Sequence, residues 1–165
     1  MRFLSFSLVA SFAIALGACA GEPAPPTEMT NAERGQIQAE VLEWADQFLA
    51  AATSLDASGV SSLFDQADGH FMAGTAYRPN WQAHLQGTQE LYAGWDAWEA
   101  EWGTKRIDVL SSDAALFVGE TSGSLRLSDG TELDKETMFS FVLRKKDGVW
   151  LGLYGHGSAV HTARN

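Results

Sequence analysis

The chain has 165 residues, 45% of them hydrophobic, and sets 11 Lys+Arg against 21 Asp+Glu for a formal charge of −10. That length suits one domain with one core. A surface this acidic repels phosphate backbones and excludes a nucleic-acid partner; a single cysteine excludes an internal disulfide.

Met1-Arg2 is a minimal positive start, and Phe3 to Leu16 is an apolar run with a few serines. The run falls short of the roughly 20 residues a membrane span needs. It leads straight into Leu16-Gly17-Ala18-Cys19, which resembles the lipobox of bacterial lipoproteins. The resemblance implies a leader over residues 1–18 and a lipid on Cys19; the plainer alternative is a secretory signal cut near Ala18 or Ala20. Acyl chains tether rather than span, at about 0.8 kcal/mol per buried CH₂. Ala20 stands where an inner-membrane retention signal would resemble an Asp. The expectation is therefore a periplasm-facing anchor in a bacterial envelope, the outer membrane favoured over the inner. Loss of Arg2 with the leader would make the mature chain one unit more negative. Residues 19–30, with Pro23, Pro25 and Pro26, read as a tether.

Thr30-Asn31-Ala32-Glu33 has the form of a capping box. Ile37, Val41, Trp44, Phe48, Ala52 and Leu55 then follow at steps of three and four, which predicts one amphipathic helix of about six or seven turns. Asp56 is placed to cap a short second helix, Ala57 to Phe64. Asp65 to Gly69 is a polar break before a short strand at Phe71-Met72-Ala73, and Tyr77 to Gly87 reads as a loop around Arg78-Pro79-Asn80. Thr88 is expected to cap a third helix reaching Trp102, with Leu91, Trp95, Trp98 and Trp102 on one stripe.

After Gly103 the period changes to two. Arg106 to Leu110 and Ala115 to Leu127 read as strands, the second with Gly119 and Gly123 as bends or bulges. The last strand pair meets at Asp147-Gly148, a primed-turn signal because Gly takes positive φ freely. The order is helix, helix, strand, helix, then four strands, so the class is α+β with an antiparallel sheet. The domain is placed at residues 31–160, with a tail at 161–165.

That order, with its landmarks, resembles the NTF2-like superfamily, and within it the SnoaL-like and DUF4440 group. The carriers are Trp44 and Phe48, Leu55-Asp56 ahead of Leu63-Phe64, and Gly87 ahead of the third helix. The ending Arg144-Lys145-Lys146-Asp147-Gly148-Val149-Trp150, followed by Tyr154, His156 and Ser158, is similar to the group's usual run. The resemblance implies a curved sheet wrapped around the first helix into a cone (cystatin-like), with a pocket at its open end. It also implies a homodimer through the sheet's outer face. The family hosts isomerases, cyclases, dehydratases and binding modules, so the fold alone does not choose among them. Ketosteroid isomerase-like members use a Tyr on the first helix with two Asp; the first helix here has no Tyr, so no catalytic dyad carries over.

Strict alternation along the final strand puts Trp150, Gly152, Tyr154, His156 and Ser158 on one face. Tyr154 and His156 are thus the candidates for proton transfer or ligand contact, against a role as hydrogen-bonded caps on the core. Asp65, Asp68 and His70 lie where this fold places its pocket rim, and an Asp such as Asp68 raised by apolar neighbours could act as a base; capping a helix in water is the blander role. The Trp95, Trp98 and Trp102 stripe, with Trp44 and Trp81, is a candidate aromatic wall for a flat ligand, with Trp44, Phe48 and Trp98 the expected contacts, although such a stripe is first of all a core face. No metal is expected, because His156 and His161 have no Cys or carboxylate at ligand spacing. Gly157-Ser158-Ala159 lacks the second Gly of a nucleophile elbow, and no phosphate-binding Gly loop opens a helix, so no cofactor is expected. Three functions follow, in order of preference: a lipid-anchored domain holding a small apolar ligand, an acid/base enzyme of isomerase, cyclase or dehydratase type, and a protein-docking module of the envelope.

Overall fold

The computed structural model describes residues 28–66, 71–74 and 76–164. The expected leader, Cys19 and the tether through residue 27 lie outside these, and so do Asp68 and His70.

The capping box forms as its sequence requires. Thr30 Oγ1 accepts from the Glu33 amide at 3.2 Å while Glu33 Oε2 accepts from the Thr30 amide at 2.8 Å. From it runs α1 (Asn31–Thr53), whose buried stripe is Ile37, Val41, Trp44, Ala45, Phe48, Leu49 and Ala52. Asp56 caps α2 (Ala57–Ser62) through the Gly59 amide at 2.8 Å. The remaining elements are β1 (Phe71–Ala73), α3 (Trp81–Tyr92), β2 (Trp95–Ser111), β3 (Ala114–Leu127), β4 (Glu132–Lys146) and β5 (Val149–Ala163). They form one curved sheet in the order β1-β5-β4-β3-β2, antiparallel except that β1 runs parallel to β5. The class is α+β, as expected from the sequence.

The core lies between α1 and the concave face of the sheet. Phe48 and Phe141 meet at 4.8 Å between ring centroids, Trp44 and Phe141 at 5.1 Å, and Phe64 closes the group edge-on. Trp44 donates its indole N–H to the Leu63 carbonyl at 3.1 Å, so the ring is fixed at both ends. Asp147 and Gly148 turn the last hairpin with φ of 51° and 83°.

Two expectations need correction. The stretch read as a loop, Tyr77 to Gly87, contains most of α3, because Asn80 caps it: its Oδ1 accepts from the Ala83 amide at 2.9 Å. Thr88 is interior to α3 and bonds back to the His84 carbonyl at 2.9 Å. The expected helix to Trp102 is instead the start of β2. A step of four is also two strand repeats, so Trp98 and Trp102 share a strand face. The step of three from Trp95 is absorbed by a register shift between Trp95 and Ala97. Both periods fit these tryptophans, and pairing with β3 decides for the strand.

The second correction concerns β5. Leu143 pairs with Gly152, but Val142 pairs with Tyr154, leaving Leu153 as an extra residue. That bulge inverts the alternation. Gly152 faces inward against Phe64, whose Cδ1 would lie 2.4 Å from an added Cβ. Beyond the bulge it is Gly155, Gly157, Ala159 and His161 that face inward. Tyr154, His156 and Ser158 therefore face outward.

Candidate ligand-binding site

The concave face narrows to a closed aromatic end and leaves a cavity of about 200 Å³ toward the other end. Its floor is Phe48 of α1 and Phe139 of β4, packed edge-to-face at 5.3 Å. Trp95 and Trp98 of β2 form one wall, and α3 contributes His84, Thr88, Leu91 and Tyr92, the last meeting Trp95 at 5.4 Å between ring centroids. Met72 and Arg78 come from the segment around β1, while Gly157, Ala159 and His161 line the β5 side. The lining is mainly apolar and aromatic, as ligand cavities usually are.

The polar feature of this cavity is Lys135. It sits at an inward position of β4, in the alternation Leu133, Lys135, Thr137, Phe139, Phe141, and is only 6% exposed. Its ammonium lies 3.6 Å from the ring centre of Trp98 and 4.3 Å from that of Trp95. Such contacts contribute about 0.5 to 2 kcal/mol each. No carboxylate among the described residues lies within ion-pair distance of Lys135. Burial pushes its pKa down from 10.5 to about 7, so both protonation states are populated near neutrality. His161 pairs with Lys135 across the β4–β5 ladder, and burial and the Lys135 charge together lower its pKa. Burial, with the Asp56 carboxylate adding to it, pushes the Tyr92 phenol up, which keeps it neutral. Two further polar atoms in the lining, Thr137 Oγ1 and Trp98 Nε1, are buried without a hydrogen-bond partner in the protein.

Of the residues singled out from the sequence, Phe48 and Trp98 line the cavity. Trp44 lies behind Phe48, stacked on it at 5.8 Å, and belongs to the core. Tyr154 and His156 do not reach the cavity, because the Leu153 bulge turns them to the convex side. There His156 Nε2 lies 3.5 Å from Ser158 Oγ. Asp65 is a tie between segments rather than a base. Its buried carboxylate accepts from Arg144 Nη2 and lies 3.7 Å from Lys146 Nζ, pinning the end of α2 to the last hairpin. Lys135, His161 and Thr137 were not foreseen as ligand-site residues, whereas Trp95 was, as part of the tryptophan stripe, and it lines the cavity. Lys135 had a readable signal, a lysine on the apolar phase of its strand, between Leu133 and Thr137 and ahead of Phe139 and Phe141. Among the described residues no three His, Cys, Asp or Glu cluster as metal ligands would.

A small α+β cone with a single dominant helix and an aromatic cavity under its sheet defines the class of fold. The chain belongs to the SnoaL-like domain family, within the NTF2-like superfamily; the family model matches residues 41–162. Among solved structures it is similar to a hexachlorocyclohexane dehydrochlorinase, LinA type 2, at 13% identity and a TM-score of 0.72, over 82% of this chain and 94% of that one. A scytalone dehydratase-like protein of Novosphingobium aromaticivorans gives 9% identity and a TM-score of 0.73, over 82% and 93%. A ketosteroid isomerase-like protein of Erwinia carotovora atroseptica gives 17% and 0.68, over 74% and 95%. At these identities the likeness is one of fold. No curated protein gives a significant match.

Proposed function

We propose that this protein is a lipid-anchored envelope domain that binds a small, largely apolar ligand in its cone. The observation that supports it is the cavity itself: Phe48, Trp95, Trp98 and Phe139 offer aromatic surface that no side chain of the core fills. At about 200 Å³ it is smaller than the roughly 300 Å³ at which pockets for drug-sized ligands begin, which favours a molecule of one or two rings. The anchor rests on the tetrad Leu16-Gly17-Ala18-Cys19 after an apolar run.

Mass spectrometry of the full chain, extracted from its host's membranes, tests both parts. A retained small molecule under native conditions, together with an acyl mass on Cys19 that disappears in Cys19→Ser, is the expected result. An unacylated Cys19 contradicts the anchor, and a protein that stays empty after challenge with apolar extracts contradicts the pocket.

A second reading is proton transfer next to a carbonyl, within the acid/base chemistry that the dehydratase and ketosteroid isomerase-like neighbours are named for. Lys135 favours it, since an amine with a pKa of about 7 is well matched to general-base work at neutral pH. In that reading Lys135 takes the part that the sequence had given to Tyr154 and His156. Turnover of a bound carbonyl compound, rather than simple retention, separates this reading from the first.

A further inference from the structure

Resting on the ligand-binding reading, we infer that the ligand is a flat aromatic acid, whose carboxylate is taken by Lys135 while its ring system lies toward Phe48 and Phe139. The argument is one of hydrogen-bond sense. An ammonium and an indole N–H can only donate, and a hydroxyl can donate as well. The Lys135 ammonium has no carboxylate beside it, and Trp98 Nε1 and Thr137 Oγ1 have no partner in the protein. All three residues line one cavity, but the Trp98 and Thr137 polar atoms are closed off from it, which leaves the ammonium to meet a ligand. A molecule that meets the ammonium must accept, and one that balances its charge must be anionic.

The surroundings of Lys135 support the charge argument. Its neighbours on β4, Asp134 and Glu136, lie on the opposite face by alternation, and so do Glu99 and Glu101 of β2. The ionisable groups that line the cavity with it are His161 of β5, His84 and Tyr92 of α3, and Arg78 ahead of α3. None of them is a carboxylate. In a chain with 21 acids, a cavity lined by an uncompensated lysine, an arginine and two histidines is a local reversal of sign. The remainder of the wall, Trp95, Phe48 and Phe139, sets the flat shape.

The test is isothermal titration calorimetry on the purified full-length protein, with 2-naphthoate against its neutral isostere 2-naphthamide. Naphthoate is expected to bind at least tenfold more tightly. At pH 8 its binding should take up close to one proton, read from buffers of different ionisation enthalpy, because pairing returns the Lys135 amine to its charged form. Lys135→Met should abolish the tenfold preference and the proton uptake while retaining naphthamide binding. Naphthamide binding as tightly as naphthoate, or a preference that survives Lys135→Met, overturns the acid assignment and leaves the pocket standing. Failure of both compounds to bind overturns the pocket reading, and the acid assignment with it.

Discussion

Lys135 is a liability to the fold that carries it. Its ammonium is nearly fully buried, and the faces of Trp95 and Trp98 offset only part of the lost hydration. Because its pKa falls from 10.5 to about 7 on folding, the unfolded chain binds the extra proton between those values. Stability therefore rises as pH climbs from about 7 toward 10.5, and the full penalty stands below pH 7. Lys135→Met is expected to stabilise the protein by about 2 kcal/mol at pH 7 in urea unfolding, with the gain shrinking by pH 9.5. An unchanged or lower stability would show that the ammonium is well solvated or paired. At this scale the sequence was legible wherever alternation was unbroken: Lys135 falls on the same phase as Phe139 and Phe141. It misled at Tyr154 and His156 because one extra residue, Leu153, reverses every side chain beyond it. Gly152 is a bulge signal of the kind read at Gly119 and Gly123, but only pairing with Leu143 and Val142 places the extra residue at Leu153.

Between elements, the fold is held by a few polar ties around the apolar core. Glu40 of α1 accepts from Lys145 Nζ at 2.7 Å and from Trp150 Nε1 at 2.8 Å, joining the helix to both strands of the last hairpin. The Lys145 hydrogen bond first, then those from Trp150 and Gln36, lowers the Glu40 pKa from 4.5 to about 2. That stabilisation is complete above about pH 4.5 and is lost as pH falls through 2. The carboxylate is about a quarter exposed, so solvent screens it. Glu40→Gln is expected to cost about 1 kcal/mol at pH 6 and almost nothing near pH 2, as read from thermal or urea unfolding at both. A cost that persists at pH 2 would mean that packing, not charge, carries the tie. The helix end of this tie was legible, since α1 has an unbroken apolar stripe and a local cap. The third helix was misplaced because its start depends on Asn80, inside a Pro-containing run that resembles a loop. Its apparent continuation rests on tryptophans spaced for either period.

For the molecule as a whole, the order of elements was enough to predict an α+β cone, because chain order and strand pairing coincide from β2 to β5. What the order could not disclose is which inward positions are left uncovered at the open end. That depends on how α3 and the β1 segment close over Trp95, Trp98 and Lys135, a matter of tertiary packing rather than of local pattern. The six tryptophans make this arrangement directly measurable. Three have their indole N–H fixed within the protein: Trp44 to Leu63, Trp81 to Ser61 and Trp150 to Glu40. Trp98 lines the cavity with its N–H unpartnered, and Trp95 lies beside it. The decisive measurement is the set of indole N–H resonances in a ¹H–¹⁵N correlation spectrum during titration with 2-naphthoate. The cone-pocket account predicts that the Trp98 signal moves most, with Trp95 following, while those of Trp44, Trp81 and Trp150 stay in place. Shifts centred on Trp81 or Trp150, or no shift at any indole, would contradict it.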